Sequence, residues 1–229
     1  MNILITLCAR GGSKGIPGKN IKQLNGQPLI SYSISIAKEF ASRYDAEIAL
    51  STDDDQIKEV AAKFGLKTQY KRPVILASDV AGKIDVLQDI LNFYESANQC
   101  KFDFILDLDV TSPLRTIKDL EKAYKMLQNN PEAYNVFSVS PANRNPYFNM
   151  VEEHKDGYVK LVKQGDAIKS RQQAPKVYDM NASFYFFRRS FFEKKYKTVI
   201  TDKSLAYVVP HICFDLDHPH DFILMDILL

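Results

Sequence analysis

Arg10, Ser13, Lys14 and Lys19 fall in a stretch punctuated by Gly11, Gly12, Gly15 and Gly18. Such a stretch can hold a polyanion. Glycines let the backbone take positive φ and come close to a ligand, so successive N–H groups can point at phosphate oxygens. Arg10, Lys14 and Lys19 bring three cations against the roughly four negative charges of a nucleoside triphosphate, and a guanidinium can grip two oxygens at once. Neither the P-loop pattern G-x-x-x-x-G-K-[ST] nor the dinucleotide pattern G-x-G-x-x-G can be placed here. The choice is between a phosphate cradle of another kind and a solvated basic loop.

Two further groupings could do chemistry. In Phe214-Asp-Leu-Asp217, alternation along a strand would set Asp215 and Asp217 on one face, a geometry suited to Mg²⁺ held together with substrate phosphates. The plainer reading is a solvent-facing pair or a cap on the following helix. In Arg171-Gln172-Gln173-Ala174-Pro175, followed by Asn181, a guanidinium could take a carboxylate bidentately and the amides could read hydroxyl or N-acyl groups. An exposed turn before a strand is the alternative. His154, His211, His218 and His220 show neither H-E-x-x-H nor triad spacing, and His218-Pro-His220 reads as a turn.

The elements that must position these residues follow from periodicity. Ile3–Leu7 is a β-branched apolar run feeding the glycine loop. Ile30, Ile34, Ala37 and Ala41 share one face of a helix over 28–44. Ala46–Ser51 reads as a short strand, Asp53-Asp54-Asp55 as a turn and helix start, and Gly65 as the stop. Lys67–Lys71 can be a brief strand, Arg72-Pro73 a bend and Lys83–Ala97 a helix. Phe102–Leu108 is the nearly unbroken apolar run of a strand covered on both faces, Thr116 caps a helix, and Asn135–Val139 is another strand. This alternation predicts an α/β fold, a mostly parallel sheet flanked by helices, with ligands gathered at the carboxyl ends of the strands.

The rhythm breaks over 140–180. Asn143-Arg-Asn-Pro146 and Asp156-Gly157 are turn signals, and the segments around 147–151 and 158–162 read as a hairpin in a small β-rich excursion. Ala182–Phe187 then reads as a strand, Ser190-x-x-Glu193 as a capping box, and Leu205–Asp217 as one or two strands before a final helix near Asp221. The expected division is 1–139 with 181–229 as one α/β domain and 140–180 as the excursion. Phe191, Phe192 and Tyr196 belong to the core or to a subunit contact.

The chain of 229 residues is 45% hydrophobic and 25% charged, enough for a well-buried core. A net charge of +2 gives no global field for nucleic acid or an anionic membrane. Cys8, Cys100 and Cys213 are odd in number and far apart, which suits reduced core thiols in a cytoplasmic protein. Neither a signal peptide nor a membrane span is expected.

The wording of Ala9 to Asn20 closely resembles the signature A-R-G-G-S-K-G-[IL]-x-x-K-N of the acylneuraminate cytidylyltransferases, which activate nine-carbon acidic sugars. Other segments resemble that family in the same order. Arg72-Pro73 with Leu76-Ala-Ser-Asp79 resembles R-P-x-x-L-A-x-D, a segment that closes over the nucleotide; Leu108 to Arg115 resembles L-Q-P-T-S-P-L-R. Arg171, Gln172, Pro175 and Asn181 resemble the family's arginine, glutamine and proline segment and its downstream Asn, and Asp215, Asp217 and Asp221 resemble the terminal D-x-D and its following acid.

The resemblance implies a nucleotide site of Arg10, Gly11, Gly12, Ser13, Lys14, Lys19, Asn20, Arg72 and Ser78, with Asn20 reading cytosine. It implies a sugar site of Asp109, Thr111, Ser112, Arg171, Gln172 and Asn181, Mg²⁺ on Asp215 and Asp217, and Arg10, Lys19 and Asp217 as the catalytic set. CTP and an acidic 2-keto sugar are the implied substrates, the excursion the implied dimerisation element, and a homodimer the implied assembly. Two departures stand out: Asp109-Val110 replaces Gln-Pro, and Asn181-Ala182 replaces Asn-Gly. The first also makes Asp107-x-Asp109-x-Thr111 resemble the opening motif of haloacid-dehalogenase-type phosphohydrolases, in which the first Asp is a nucleophile. A nucleotide-binding protein without turnover is the non-enzymatic alternative.

Overall fold

The computed structural model describes residues 2–13, 15–163, 168 and 170–229, and of Arg171 only the backbone. The chain runs β1 (Ile3–Cys8), β2 (Gln23–Leu24), β3 (Gln27–Pro28), α1 (Leu29–Tyr44), β4 (Ala46–Ser51), α2 (Asp55–Lys63), α3 (Lys83–Asn98) and β5 (Phe104–Asp109). It continues through α4 (Ile117–Gln128), β6 (Asn135–Pro141), β7 (Val151–Glu153), β8 (Val159–Leu161), β9 (Tyr178–Arg188), α5 (Arg189–Glu193), β10 (Ser204–Val208) and α6 (Pro219–Leu228).

A six-stranded sheet in the order β10-β6-β9-β5-β1-β4 carries the fold. β1 pairs in parallel with β4 and β5, and β10 with β6; β9 is antiparallel to both β5 and β6. Helices cover both faces, as the apolar alternation demands. Ile3, Ile5 and Leu7 of β1 and Phe104, Leu106 and Leu108 of β5 point to one core with Phe40 of α1 and Leu120 of α4. Leu4 and Ile105 point to the other, with Leu87 and Leu91 of α3 and with Phe191 and Phe192 of α5. The second group therefore sits in the core, with Tyr196 partly buried against it.

Helix ends follow local chemistry. Asp54 caps α2 by accepting from the Gln56 and Ile57 amides, and Thr116 caps α4 in a reciprocal box with Asp119. Gly65, at φ 75°, follows α2. The capping box expected at Ser190 is absent: α5 begins one residue earlier, and the Arg189 amide donates to Asp103 O at 3.0 Å.

Two expected strands are loops. Residues 67–71 lie beside β4, the sheet's edge, but the Thr68 hydroxyl takes the Leu50 carbonyl (3.2 Å), so a side chain stands where a ladder bond would be. β10 ends at Val208, leaving Phe214–Asp217 outside the sheet. In the 140–180 region, β7 and β8 form a separate two-stranded sheet whose Val151 and Val159 are exposed, as is Tyr158 just before β8. Among the described residues no helix is long and apolar enough to cross a membrane.

Candidate functional site

The carboxyl ends of β1, β4 and β5 lie side by side, with Cys8 in register with Ser51 and Asp109. The glycine loop, the residues after β5 and the Asp215–Asp217 loop close a cleft of about 450 Å³ over this edge.

From the glycine loop, Arg10, Ser13, Gly15, Lys19 and Asn20 line the cleft. In this loop, among the described residues, Gly18 uses positive φ (65°). Gly11 and Gly15 are instead required by close approach: a Cβ would fall 2.5 Å from Asp54 Oδ2 at the first and 2.9 Å from Asp217 O at the second. A Cβ at Gly12 would meet nothing within 4 Å among the described residues. The Gly11 amide donates to Asp53 Oδ1 (3.1 Å), so the acidic turn after β4 braces the loop. Asn20 is buried and donates through Nδ2 to Arg10 O (2.9 Å), folding the loop back on itself. Lys14 lies outside the described residues.

Arg10 pairs with Asp79 at 2.7 Å. Arg72 is buried, and its Nε and Nη2 fasten on Ser51 Oγ and Ser51 O, each at 2.8 Å, at the end of β4. Ser78 lines an adjoining chamber of about 250 Å³ that shares Arg10, Arg72 and Asp79 with the cleft.

The Asp215–Asp217 loop is held by two serine side chains and a single backbone bond rather than by a ladder. Ser140 Oγ donates to Cys213 O (3.2 Å), Ser112 Oγ to Phe214 O (3.1 Å), and the Leu216 amide to Thr111 O (2.9 Å). Lys19 Nζ reaches Leu216 O at 2.6 Å and Asp217 Oδ1 at 3.2 Å. Asp221 Oδ2 accepts the amides of Asp217 and His218, so this acid and the His218-Pro-His220 turn serve as the cap of α6. Burial and the neighbouring Asp217 charge raise the Asp215 carboxyl above its ordinary range. Asp215 and Asp217 thus converge as expected of a strand, although no strand holds them.

Asp109 and Thr111 also line the cleft. Burial alone would raise the Asp109 carboxyl; Lys83 and the amide and hydroxyl of Thr111 overcome it and hold it low. Asp107 is fully buried, with Thr6 Oγ1 on one oxygen (2.8 Å) and Lys83 Nζ on the other (2.7 Å). A phosphohydrolase nucleophile needs an open oxygen facing substrate, and Asp107 has none. Ser112 and Asn181 are buried in the wall rather than facing the cleft: Asn181 Oδ1 accepts from Ser138 (2.6 Å) while Nδ2 donates to Ser140 (3.0 Å). Gln172 lines a different cavity of about 490 Å³, with Arg144 and Tyr178. The Arg171 side chain lies outside the described residues.

Sequence reasoning missed the cations behind this wall. Arg115 is buried, bonded to Ser33 Oγ (2.9 Å), Ser183 Oγ (3.1 Å) and the Asp109 carbonyl, and burial draws it down to about 10. Two acids inside the apolar run of β5 were the available signal, since buried carboxylates demand partners. Cys213 is buried as expected, whereas Cys8 and Cys100 are half-buried. Cys8 lines the cleft, and burial, with Asp107 next, pushes its thiol up to about 12. Among the described residues no group of three or more His, Cys, Asp or Glu gathers as a metal-ligand set.

Comparison with known proteins gives the family. Post-translational flagellin modification protein B of Campylobacter coli is 40% identical over 99% of this chain and 94% of its own length. CMP-N,N'-diacetyllegionaminic acid synthase of Campylobacter jejuni is 39% identical over 99% of this chain and 94% of its own. Pseudaminic acid cytidylyltransferase of Campylobacter jejuni is 34% identical over 96% and 93%. A solved structure of CMP:2-keto-3-deoxy-manno-octonic acid synthetase complexed with CTP shares the fold, with a TM-score of 0.73 at 17% identity, covering 100% of this chain and 98% of that one. A family model described as cytidylyltransferase matches residues 4–215, from the first strand to the first cleft aspartate, and the chain belongs to that family.

Proposed function

We propose that this protein transfers CMP from CTP to the anomeric hydroxyl of an acidic nine-carbon 2-keto sugar. Relatives named for legionaminic and pseudaminic acid support the sugar class. The observation that carries the reading is the joining of loop to acid pair, Lys19 bridging the glycine loop to Leu216 O and Asp217. One face of the cleft then offers cations to phosphates and the other offers carboxylates.

In the reaction the sugar hydroxyl attacks the α-phosphorus of CTP, its proton is released, the bond to the β-phosphate oxygen breaks, and pyrophosphate leaves. Arg10 and Lys19 offset charge on the departing pyrophosphate. Arg10 is free to do so: its pair with Asp79 is partly exposed, and such pairs are worth about 1 kcal/mol or less, so a triphosphate displaces Asp79 readily. Asn20 and Arg72 hold the base end, and Asp109 and Thr111 border the sugar end.

The acid pair fits a divalent cation. Asp215 is raised partly by Asp217, the repulsion a cation relieves, and two carboxylates leave positions for phosphate oxygens and water. Mg²⁺ held by Asp215 and Asp217 would supply Lewis-acid neutralisation of the phosphates. We further infer a homodimer built on the 140–180 excursion, because an isolated two-stranded hairpin with exposed Val151, Tyr158 and Val159 is marginal by itself. Three free thiols suit a cytoplasmic setting.

Pyrophosphate release from CTP and Mg²⁺ across a panel of 2-keto acidic sugars, with GTP, UTP and ATP as controls, tests the reading. Turnover with CTP and one or a few nine-carbon acids supports it; silence with every sugar overturns it.

A further inference from the structure

Two features of the chain each break a local rule. Asp107 and Asp109 alternate with Leu106 and Leu108 on β5, so both carboxylates leave the strand on the face covered by α3, where acids are costly to bury. Lys83 is the first residue of α3, where a cation opposes the helix dipole. Together they make sense. Lys83 Nζ sits 2.7 Å from Asp107 Oδ2, 3.5 Å from Asp109 Oδ2 and 4.8 Å from the centroid of the Tyr185 ring, which is paired across the sheet with Asp107. The ammonium is caged by two carboxylates and an aromatic face.

The two acids differ in what they face. Asp107 is sealed, and its other oxygen takes the Thr6 hydroxyl. Asp109 opens into the cleft beside Thr111, whose amide (3.0 Å) and hydroxyl (2.8 Å) both donate to Oδ1. Lys83 therefore ties an acid with no access to substrate to one that has it. Left unpaired, Asp109 would repel both a sugar carboxylate and the phosphates of a nucleotide. Neutralised by Lys83, which itself lines the adjoining chamber, it becomes a fixed acceptor, and a carboxylate only accepts.

We propose that Lys83 is a specificity-determining positioning residue, which holds Asp109 as a hydrogen-bond acceptor for a hydroxyl or N-acyl N–H of the incoming sugar. The inference rests on the reading that this cleft binds CTP and an acidic sugar. It makes the cleft choose acceptors that present a donor at this wall, because a buried polar group left unpaired penalises the analogue that lacks one.

The test is steady-state kinetics of the full-length protein with N,N'-diacetyllegionaminic, pseudaminic and N-acetylneuraminic acids, for Asp109→Asn, Lys83→Met, Lys83→Arg and the Lys83→Met/Asp109→Asn pair. Asp109→Asn is expected to lower kcat/KM for the preferred sugar by about 10 to 100-fold, the worth of a hydrogen bond to a charged group, with the KM for CTP within about twofold. Lys83→Met should fall similarly, Lys83→Arg should recover part of the loss, and the double variant should be no worse than the poorer single one, as coupled residues are non-additive. An Asp109→Asn variant with unchanged sugar kcat/KM overturns the inference, as does an equal loss toward CTP or a Lys83→Met variant that loses only thermal stability. If Lys83→Met does not fold, Asp109→Asn and Lys83→Arg decide. A parent enzyme silent with CTP and every 2-keto acidic sugar of the panel overturns the functional reading itself, a result distinct from parent turnover with indifferent variants.

Discussion

Replacing Gly15 with alanine probes the join between the glycine loop and the acid pair. The added Cβ would lie 2.9 Å from Asp217 O, whereas ordinary contact begins at 3.4 Å. A backbone oxygen cannot swing aside as a side-chain tip does, so either the loop or the Asp215–Asp217 segment must retreat by about half an ångström. Misplacement of reacting groups by about 1 Å costs about 100-fold in rate, so half that distance corresponds to about 10-fold in kcat. Overpacking should lower stability by about 1 to 3 kcal/mol. Gly12→Ala is the internal control, since among the described residues nothing lies within 4 Å of its Cβ. The assay is pyrophosphate release at saturating CTP and sugar, with urea unfolding alongside. A Gly15→Ala enzyme with kcat within twofold of the parent, or a Gly12→Ala protein equally destabilised, would refute the steric reasoning.

Other consequences are open to measurement. Ala182 sits at φ 53° beside the register shift between β6 and β9, a conformation that strains any side chain by about 1 to 2 kcal/mol. Ala182→Gly relieves this at the expense of chain entropy, so a net gain of about 0.5 to 1 kcal/mol is expected in urea unfolding. Thr116→Ala removes one half of the capping box of α4 and should destabilise by about 1 kcal/mol. His211 Nε2 lies 2.9 Å from Asp119 Oδ2, and although burial opposes protonation, Asp119 raises the imidazole above its ordinary value of 6.5. The protonated form is thus favoured by folding, and its contribution is full below 6.5 and lost as pH rises through the higher folded value. An imidazole NMR titration should place His211 above 6.5, and His211→Gln should flatten the loss of stability as pH rises above 6.5.

The α/β rhythm was legible because each helix carries an apolar face and each buried strand an apolar run, as Ile30, Ile34 and Ala37 and the β5 stretch show. Patterns that two structures satisfy equally were not legible. Phe214-Asp-Leu-Asp217 alternates like a strand, but Ser112 and Thr111 take its backbone groups and Ser140 that of Cys213 just before it, and only the folded chain brings these residues, far earlier in sequence, beside it. Residues 67–71 have strand composition but run beside an edge whose carbonyl a threonine hydroxyl already occupies. At the site, motif wording gathered Arg10, Lys19, Asn20, Asp109, Asp215 and Asp217 into one cleft. It gave no access to Lys83, whose partners are set by the packing of α3 on the sheet face that carries both acids, or to the burial that turns Ser112 and Asn181 into the wall.

The place of β9 between β5 and β6 bears on how the chain comes off the ribosome. β5, α4 and β6 form a strand–helix–strand unit whose strands run the same way, yet in the finished sheet a later strand separates them. During synthesis the edges of β5 and β6 stay open while residues 142–177 are added, exposing backbone donors and acceptors to one another and to other nascent chains. Only when residues 178–188 emerge can the gap be filled, and any early pairing of β5 with β6 must first come apart. A chain interrupted before Tyr178 keeps its glycine loop and most of its helices but lacks the strand that joins the two parts of the sheet.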